Sequence, residues 1–250
     1  MIRRQFIAAA GTVLAGLLFA TSAQAAKVYQ VATDAAYAPF ESQNAQQEII
    51  GFDVEVMKAI AAKAGIEVKF TNTPWEGIFA TLGTGERDIV ISAVTITPER
   101  KQSMDFSEPY FEAKQLIALG HSSKITKFAD LKTKKVGVQT GTTGDEAVQK
   151  LQGKTSPNIK RFESTPLALK ELMDGGVEAV VADNGVVVNY LANNKDAKLK
   201  IVDDSSFEKE FYGIAVKKGN KELLEKINKG LAGIKSDGTY AKIHKKYFGN

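Results

Sequence analysis

Short apolar runs alternate with segments of helical spacing through the first half of the chain. The runs are rich in β-branched and aromatic residues and predict strands at VYQVAT (28–33), VKFTNT (68–73) and DIVISAV (88–94). The segments between them predict helices within 49–65 and 74–82. Such alternation is typical of α/β architecture, and the apolar run 88–94 favours a strand buried on both faces of a parallel sheet.

Local signals set the expected bounds of these two helices. Asp53 is expected to cap the first helix and Gly65 to end it. Thr73 and Glu76 have the spacing of a capping box, which would place Trp75 in the first turn of the second helix.

The second half repeats this rhythm, which predicts two similar lobes. Its predicted strands and helices are 115–119, 135–139, 144–151, 159–162, 167–176, 178–182 and 184–194, followed by a strand at 212–216 and helices from 221 and 238. We expect lobe 1 to comprise 26–110 and 212–250 and lobe 2 to comprise 114–206. The connecting hinges are expected near 110–114 and 207–212.

The first 25 residues are typical of a secretory signal peptide. A basic start with Arg3 and Arg4 precedes an apolar run to about Ala20, and Ala23-Gln24-Ala25 has the small-x-small form of a cleavage site. The mature protein is therefore predicted to begin at Ala26. The chain has no cysteine, hence neither a disulfide nor a lipid anchor on cysteine, and we expect a protein of the bacterial periplasm.

Charge and histidine content argue against two classes of function. The net charge of +4 includes two leader arginines, so it does not indicate a nucleic-acid-binding protein. His121 and His244 lack metal-ligand spacing, and neither a metal nor a cofactor is expected.

Ligands of open parallel sheets bind at the carboxyl ends of the strands, and this rule selects candidate site residues. The ends of the predicted strands supply Asp34, Tyr37, Trp75, Ser92, Ala93, Thr95, Gln139, Thr142, Thr143 and Asp183.

Arg100 is the candidate that most needs a ligand. Thr97 is predicted to cap a short helix, which places Arg100 in its first turn, where the helix dipole disfavours a cation. An arriving carboxylate would remove that conflict, since a guanidinium binds it through two parallel hydrogen bonds. The alternative is a surface arginine paired with Glu99 or Asp105.

The other candidates also have simpler interpretations. Asp183 could cap the next helix or accept from an ammonium group, and Asp34 could cap a turn or neutralise a basic side chain. Trp75 and Tyr37 could be half-buried packing residues or could stack on a flat or cationic group. The loop QTGTTG (139–144) lacks the lysine of a phosphate loop but could donate hydrogen bonds to a small carboxylate.

Several stretches together resemble the periplasmic polar-amino-acid-binding proteins of ABC importers, the family of glutamine, histidine and lysine/arginine/ornithine receptors. They are DAAYAPFES, GFDVEVMKAIA, TPWEGIFATLGTGERDIVIS, TITPERKQSMDFSEPYF, VGVQTGTTG and VVAD. The resemblance implies a two-lobed type II periplasmic binding protein fold, with two hinge strands, that closes over one free amino acid. It also implies delivery of that ligand to an inner-membrane ABC permease, and we expect a monomer.

The resemblance also implies a role for each candidate. Arg100 would bind the α-carboxylate with help from Thr95 and the loop of Thr142 and Thr143. Asp183 would bind the α-ammonium, with the backbone at Ser92 and Ala93. The remaining candidates would line the side-chain pocket: Asp34, Tyr37, Trp75 and Gln139.

One departure from the family bears on the ligand's side chain. Glutamine-specific members have a lysine where this chain has Gln139, and that lysine neutralises the aspartate that aligns with Asp34. In this chain the lysine is missing, which would leave Asp34 without a cation. A buried carboxylate is costly unless paired, so the prediction is arginine or another basic amino acid, with glutamine next. A periplasmic enzyme on the same fold, such as cyclohexadienyl dehydratase, is the alternative. A third possibility, the sensor lobe of a membrane receptor, would need a membrane segment or a kinase portion.

Overall fold

The computed structural model describes residues 27–249. The predicted signal peptide, 1–25, lies outside this range. Between residues 27 and 249, no helix combines the length and apolar character that crossing a bilayer requires.

The described residues form strands and helices that alternate along the chain. The strands are β1 (Val28–Thr33), β2 (Ala36–Tyr37), β3 (Glu41–Gln43), β4 (Ile49–Ile50), β5 (Glu67–Asn72), β6 (Ile89–Val90), β7 (Met104–Phe106), β8 (Phe111–Ala113), β9 (Gln115–Gly120), β10 (Val136–Gln139), β11 (Ile159–Phe162), β12 (Ala179–Asp183), β13 (Leu199–Val202), β14 (Glu210–Tyr212) and β15 (Ala215–Lys217). The α-helices are α1 (Phe52–Ala64), α2 (Ala80–Thr84), α3 (Arg100–Ser103), α4 (Thr143–Gln152), α5 (Thr165–Met173), α6 (Asn184–Asn193), α7 (Lys221–Ser236) and α8 (Thr239–Phe248), with 3-10 turns at Phe128–Thr133 and Lys195–Ala197.

Two five-stranded sheets form the centres of two lobes. The sheet of lobe 1 has the order β5-β1-β6-β15-β7, and that of lobe 2 has the order β11-β10-β12-β9-β13. In each sheet one strand, β15 or β9, runs antiparallel to its neighbours and the others are parallel. The predicted α/β class with two mainly parallel sheets is confirmed.

The end of the chain packs on lobe 1. Leu223, Ile227 and Leu231 of α7 recur every four residues, which places them on one face of the helix, and they join the same buried core as Met57 and Ile60 of α1.

Two connecting segments lie side by side between the sheets. Strand β8 pairs antiparallel with β14, so that Phe111 lies opposite Tyr212 and Ala113 opposite Glu210. These are the segments predicted as hinges. The exact lobe bounds and the hinge motion stay predictions.

Three local predictions are wrong. The predicted helix at 74–82 is replaced by turns followed by the short α2, because Gly77 takes a left-handed conformation with φ 88°. The predicted strand 212–216 is two strands, β14 and β15, in different sheets. Asp53 is not the cap of α1: it lies inside the first turn, is fully buried, and its carboxylate accepts from the backbone N–H of Ala93. The predicted end of α1 is confirmed, since Gly65 adopts the left-handed conformation.

Candidate functional site

A cavity lies between the two lobes, and its empty space, counted with the part open to solvent, is about 310 Å³. Its lining consists of the eleven residues selected from the sequence: Asp34, Tyr37, Trp75, Ser92, Ala93, Thr95, Arg100, Gln139, Thr142, Thr143 and Asp183. The fold therefore brings all the candidates together, and their contact with a ligand stays a prediction.

Arg100 is buried in this cavity without an acid partner. The residue is 9% exposed, and its guanidinium lies beside the touching rings of Trp75 and Phe79, 5.3 Å from the centre of the first and 5.2 Å from that of the second. Nη1 donates to the carbonyl of Thr95 at 2.9 Å and Nη2 to the carbonyl of Gly141, in lobe 2, at 3.3 Å. No described carboxylate lies within ion-pair distance of Arg100. Burial accordingly lowers the pKa of Arg100.

The surface interpretation of Arg100 does not describe this structure. Asp105 pairs with Lys218 instead, at 2.7 Å. Helix α3 begins at Arg100, and the hydroxyl of Thr97 accepts from the backbone N–H of Arg100 at 3.1 Å, as expected of a cap. The local sequence thus fixes the backbone while the side chain turns inward.

Asp183 faces the cavity from lobe 2. It occupies the N-cap position of α6, but its side chain makes no capping hydrogen bond. Oδ2 accepts from the hydroxyls of Tyr37, at 2.8 Å, and Tyr212, at 2.5 Å, while Oδ1 accepts from Nε2 of Gln115. Burial and the nearby carboxylate of Glu210 raise the pKa of Asp183 to about 6. A carboxylate has about four acceptor positions, so these three donors leave room for one more.

Asp34 lies at the carboxyl end of β1, on the lobe 1 side. Its Oδ2 accepts from Nε2 of Gln139, across the cleft, at 3.3 Å. Gln139 is itself held by the carbonyl of Glu163 and the hydroxyl of Thr165, both at 3.0 Å. No described cation pairs with Asp34, and burial raises its pKa to about 6.

The Ser92–Ala93 segment forms part of the lobe 1 wall. The hydroxyl of Ser92 accepts from the backbone N–H of Asp34 at 3.0 Å and donates to Glu41 at 2.7 Å. Ala93 has φ 46°, a conformation that non-glycine residues adopt only when their surroundings hold them there.

Hydroxyl groups from both lobes converge on Glu210, which sequence reasoning missed. Thr95 and Thr143 each donate to its Oε2 at 2.7 Å, and Gln115 donates to Oε1 at 3.1 Å. Thr142 is in part an ordinary cap, because its hydroxyl accepts from the first turn of α4. The sequence signal that could have identified Glu210 is the strand period of two, which puts it on the same face of β14 as Tyr212.

The site thus combines one buried cation with two buried carboxylates. Among residues 27–249, no group of histidine, cysteine and acidic side chains could hold a metal ion. A charged cavity between two α/β lobes is typical of a receptor for a small polar solute.

The chain belongs to family 3 of the bacterial extracellular solute-binding proteins, whose family model matches residues 29–250. It is 45% identical over 230 residues to a probable histidine-binding protein of Neisseria gonorrhoeae, covering 92% of this chain and 86% of that protein. It is 37% identical over 243 residues to ABC transporter arginine-binding protein 1 of Escherichia coli K12, covering 94% and 98%. The crystal structure of the arginine-, lysine-, histidine-binding protein ArtJ of Geobacillus stearothermophilus matches with a TM-score of 0.87 and 45% identity, over 90% of this chain and 96% of that one.

Proposed function

We propose that this protein is a periplasmic receptor for a basic L-amino acid, arginine in the first place, which it delivers to an ABC permease of the inner membrane. The observation that carries the proposal is the buried guanidinium of Arg100, which has no acid partner among the described residues. A buried charge is stable only when it is compensated, so this position calls for an anion from outside the chain.

The ligand's identity follows from the charges of the cavity. Its one cation, Arg100, and its two carboxylates, Asp34 and Asp183, are the complement of an amino acid that carries one carboxylate and two cations. Arg100 binds the α-carboxylate, Asp183 the α-ammonium and Asp34 the charged end of the side chain. Burial raises the pKa of both aspartates to about 6, and a bound cation beside each would favour the ionised form. Glutamine ranks next, because it leaves Asp34 without a counter-charge.

Closure of the lobes is the proposed mechanism. Hydrogen bonds that cross the cleft include those from Tyr37 to Asp183, from Gln139 to Asp34, and from Arg100 to the carbonyl of Gly141. A ligand that contacts both lobes favours the closed form over the open one, and β8 and β14 are the hinge. The closed form is the state that the permease recognises, and the receptor acts as a monomer.

A thermal-shift screen of the mature chain, from Ala26, tests the function. It covers the twenty amino acids with ornithine and citrulline, because a ligand at about 100 times its Kd stabilises the native state by about 2.7 kcal/mol. We expect the largest shift with arginine, then with the other basic amino acids, and calorimetry then gives the affinities. No shift with any amino acid would overturn the proposal.

Two further experiments test the setting of this function. Cell fractionation of the full-length chain is expected to recover it from the periplasm with residues 1–25 removed; an uncleaved cytoplasmic protein would refute export. Incubation with prephenate or arogenate is expected to leave both compounds unchanged, whereas turnover would favour an enzyme on this fold.

A further inference from the structure

Two acidic side chains are completely buried behind the Ser92–Ala93 wall of the cavity. Glu41 of β3 and Asp53 of α1 are both 0% exposed. No described lysine, arginine or histidine forms an ion pair with either. Four acids and phenols act on the pair through their charge or hydroxyl: Asp34, Tyr37, Tyr110 and Tyr240. Among the described residues, the two acidic groups therefore have no ion-pair partner.

The hydrogen bonds of the pair leave one oxygen of each carboxyl group without a donor. Glu41 Oε1 accepts from the hydroxyl of Ser92 at 2.7 Å. Asp53 Oδ2 accepts from the backbone N–H of Ala93 and the hydroxyl of Tyr110, both at 2.7 Å. The remaining oxygens, Glu41 Oε2 and Asp53 Oδ1, are buried and have no partner among the described residues.

The fold brings the two acidic residues together. The backbone N–H of Asp53 donates to the carbonyl of Phe40, the residue before Glu41, at 3.0 Å, and the two carboxyl groups bind the adjacent residues Ser92 and Ala93. Two ionised carboxylates held side by side in this way would repel each other, and each would keep a buried acceptor unsatisfied. A single proton between them satisfies both oxygens and removes one of the two charges.

We propose that Glu41 and Asp53 share one proton, and that this protonated pair positions the Ser92–Ala93 segment against the ligand. The pair fixes the segment at two adjacent points, the hydroxyl of Ser92 and the N–H of Ala93. It thereby holds the left-handed conformation of Ala93, whose φ is 46°. Through Tyr110, the residue before β8, the same pair is joined to the proposed hinge.

The direction of the pKa shifts agrees with this arrangement. Burial, followed by the charge of Asp53, raises the pKa of Glu41 well above its ordinary value, and burial raises that of Asp53 to about 6. We therefore assign the proton to Glu41, while the titration belongs to the pair. The stabilising contribution of the protonated pair is full below the unfolded-state pKa values, near pH 4, and is lost as the pH rises through the raised folded-state values, so deprotonation of the pair destabilises the native protein.

The shared proton can be measured without any ligand. Carboxyl carbon resonances of the unliganded protein, assigned with the variants Glu41→Gln and Asp53→Asn, are followed from pH 3 to pH 9 by NMR. We expect one carboxyl of the pair to stay protonated at pH 7. Two carboxylates that both ionise below pH 5 would overturn the proposal, whether or not an amino acid binds.

The positioning role rests on the proposed function and has its own readout. Glu41→Ala removes both the acceptor of Ser92 and the proton, and should weaken arginine binding by about 5- to 150-fold, the cost of a buried group left unsatisfied. Glu41→Gln should restore most of the affinity and remove the loss of stability with rising pH, since its amide keeps the acceptor and donates permanently to Asp53. The exposed Glu48→Gln is the matched control. Equal affinities in Glu41→Ala and wild type would refute the role, whereas failure of the wild type to bind any amino acid would refute the proposed function instead.

Discussion

Replacing Arg100 with alanine tests the charge argument most directly, because it separates ligand binding from folding. In the liganded protein the α-carboxylate would lose its only strong partner inside a closed cavity. Truncating one member of a buried, hydrogen-bonded charge pair costs about 2 to 5 kcal/mol. At about 1.4 kcal/mol per factor of ten, affinity should fall by about 30- to 4,000-fold. The loss should be similar for arginine, lysine, histidine and glutamine, since all of them carry the same carboxylate.

The stability of the unliganded protein should not fall with the same substitution. There the guanidinium is a buried cation without an acid partner among the described residues, and burial lowers its pKa. Removing it should therefore leave the free energy of unfolding unchanged or raise it. Calorimetry measures the affinities, and urea unfolding measures the stability. Lys101→Ala, which removes a neighbouring exposed cation, is the control and should change neither. Affinity within about threefold of wild type would refute the reasoning, as would a loss confined to basic ligands.

Three other substitutions test the side-chain pocket, the hydrogen bonds of Glu210 to both lobes, and the closure of the lobes. Asp34→Asn should weaken the binding of basic ligands selectively, and equal losses for glutamine and arginine would contradict the pocket assignment. Burial raises the pKa of Asp34 to about 6 and a bound cation favours its ionised form, so the affinity of the wild type for arginine should rise with pH through that value. Calorimetry in two buffers should detect the protons released on binding below it. Glu210→Gln should weaken binding by about tenfold and enlarge the unliganded protein in small-angle scattering, because a charged acceptor shared by both lobes is lost, whereas the exposed Glu208→Gln should do neither. Gly185→Ala would put a methyl group 2.8 Å from the ring of Phe40, an overlap that costs the closed form about 1 to 3 kcal/mol. Affinity for arginine should fall and the unliganded protein should enlarge in small-angle scattering; an unchanged affinity would show that the bound form does not include this contact.

Regular elements were predictable wherever local spacing and turn chemistry agreed. The β1 segment, the end of α1 at Gly65 and the alternation of strands and helices in lobe 2 follow from hydrophobic period and glycine. The helix predicted around Trp75 failed, because its capping signals were outweighed by a left-handed turn at Gly77. Capping motifs report only the preference of a few residues, and a neighbouring backbone requirement can override them.

The candidate site was predictable because of a topological rule. Parallel strands end at one edge of a sheet, so polar residues after Thr33 and after Val90 had to lie near each other in lobe 1, and those after Val138 near the edge of the sheet in lobe 2. That the two edges face each other was implied only by the family resemblance. What each side chain contacts was not predictable from position alone. The sequence placed Asp53 as a cap, and the fold turned it into one half of a buried acid pair.

By itself, then, the sequence determined the α/β class, the two-lobed repetition and the strand ends that hold the candidate residues, since these depend on periods of two and 3.6 residues and on local turns. Only the tertiary structure decided which partners the charged groups acquire. Glu210 and Thr95 are 115 residues apart, Tyr37 and Asp183 are 146 apart, and no local pattern relates them. The physical reason is that burial and charge pairing arise between distant segments, so they exist only after the two lobes have packed against each other.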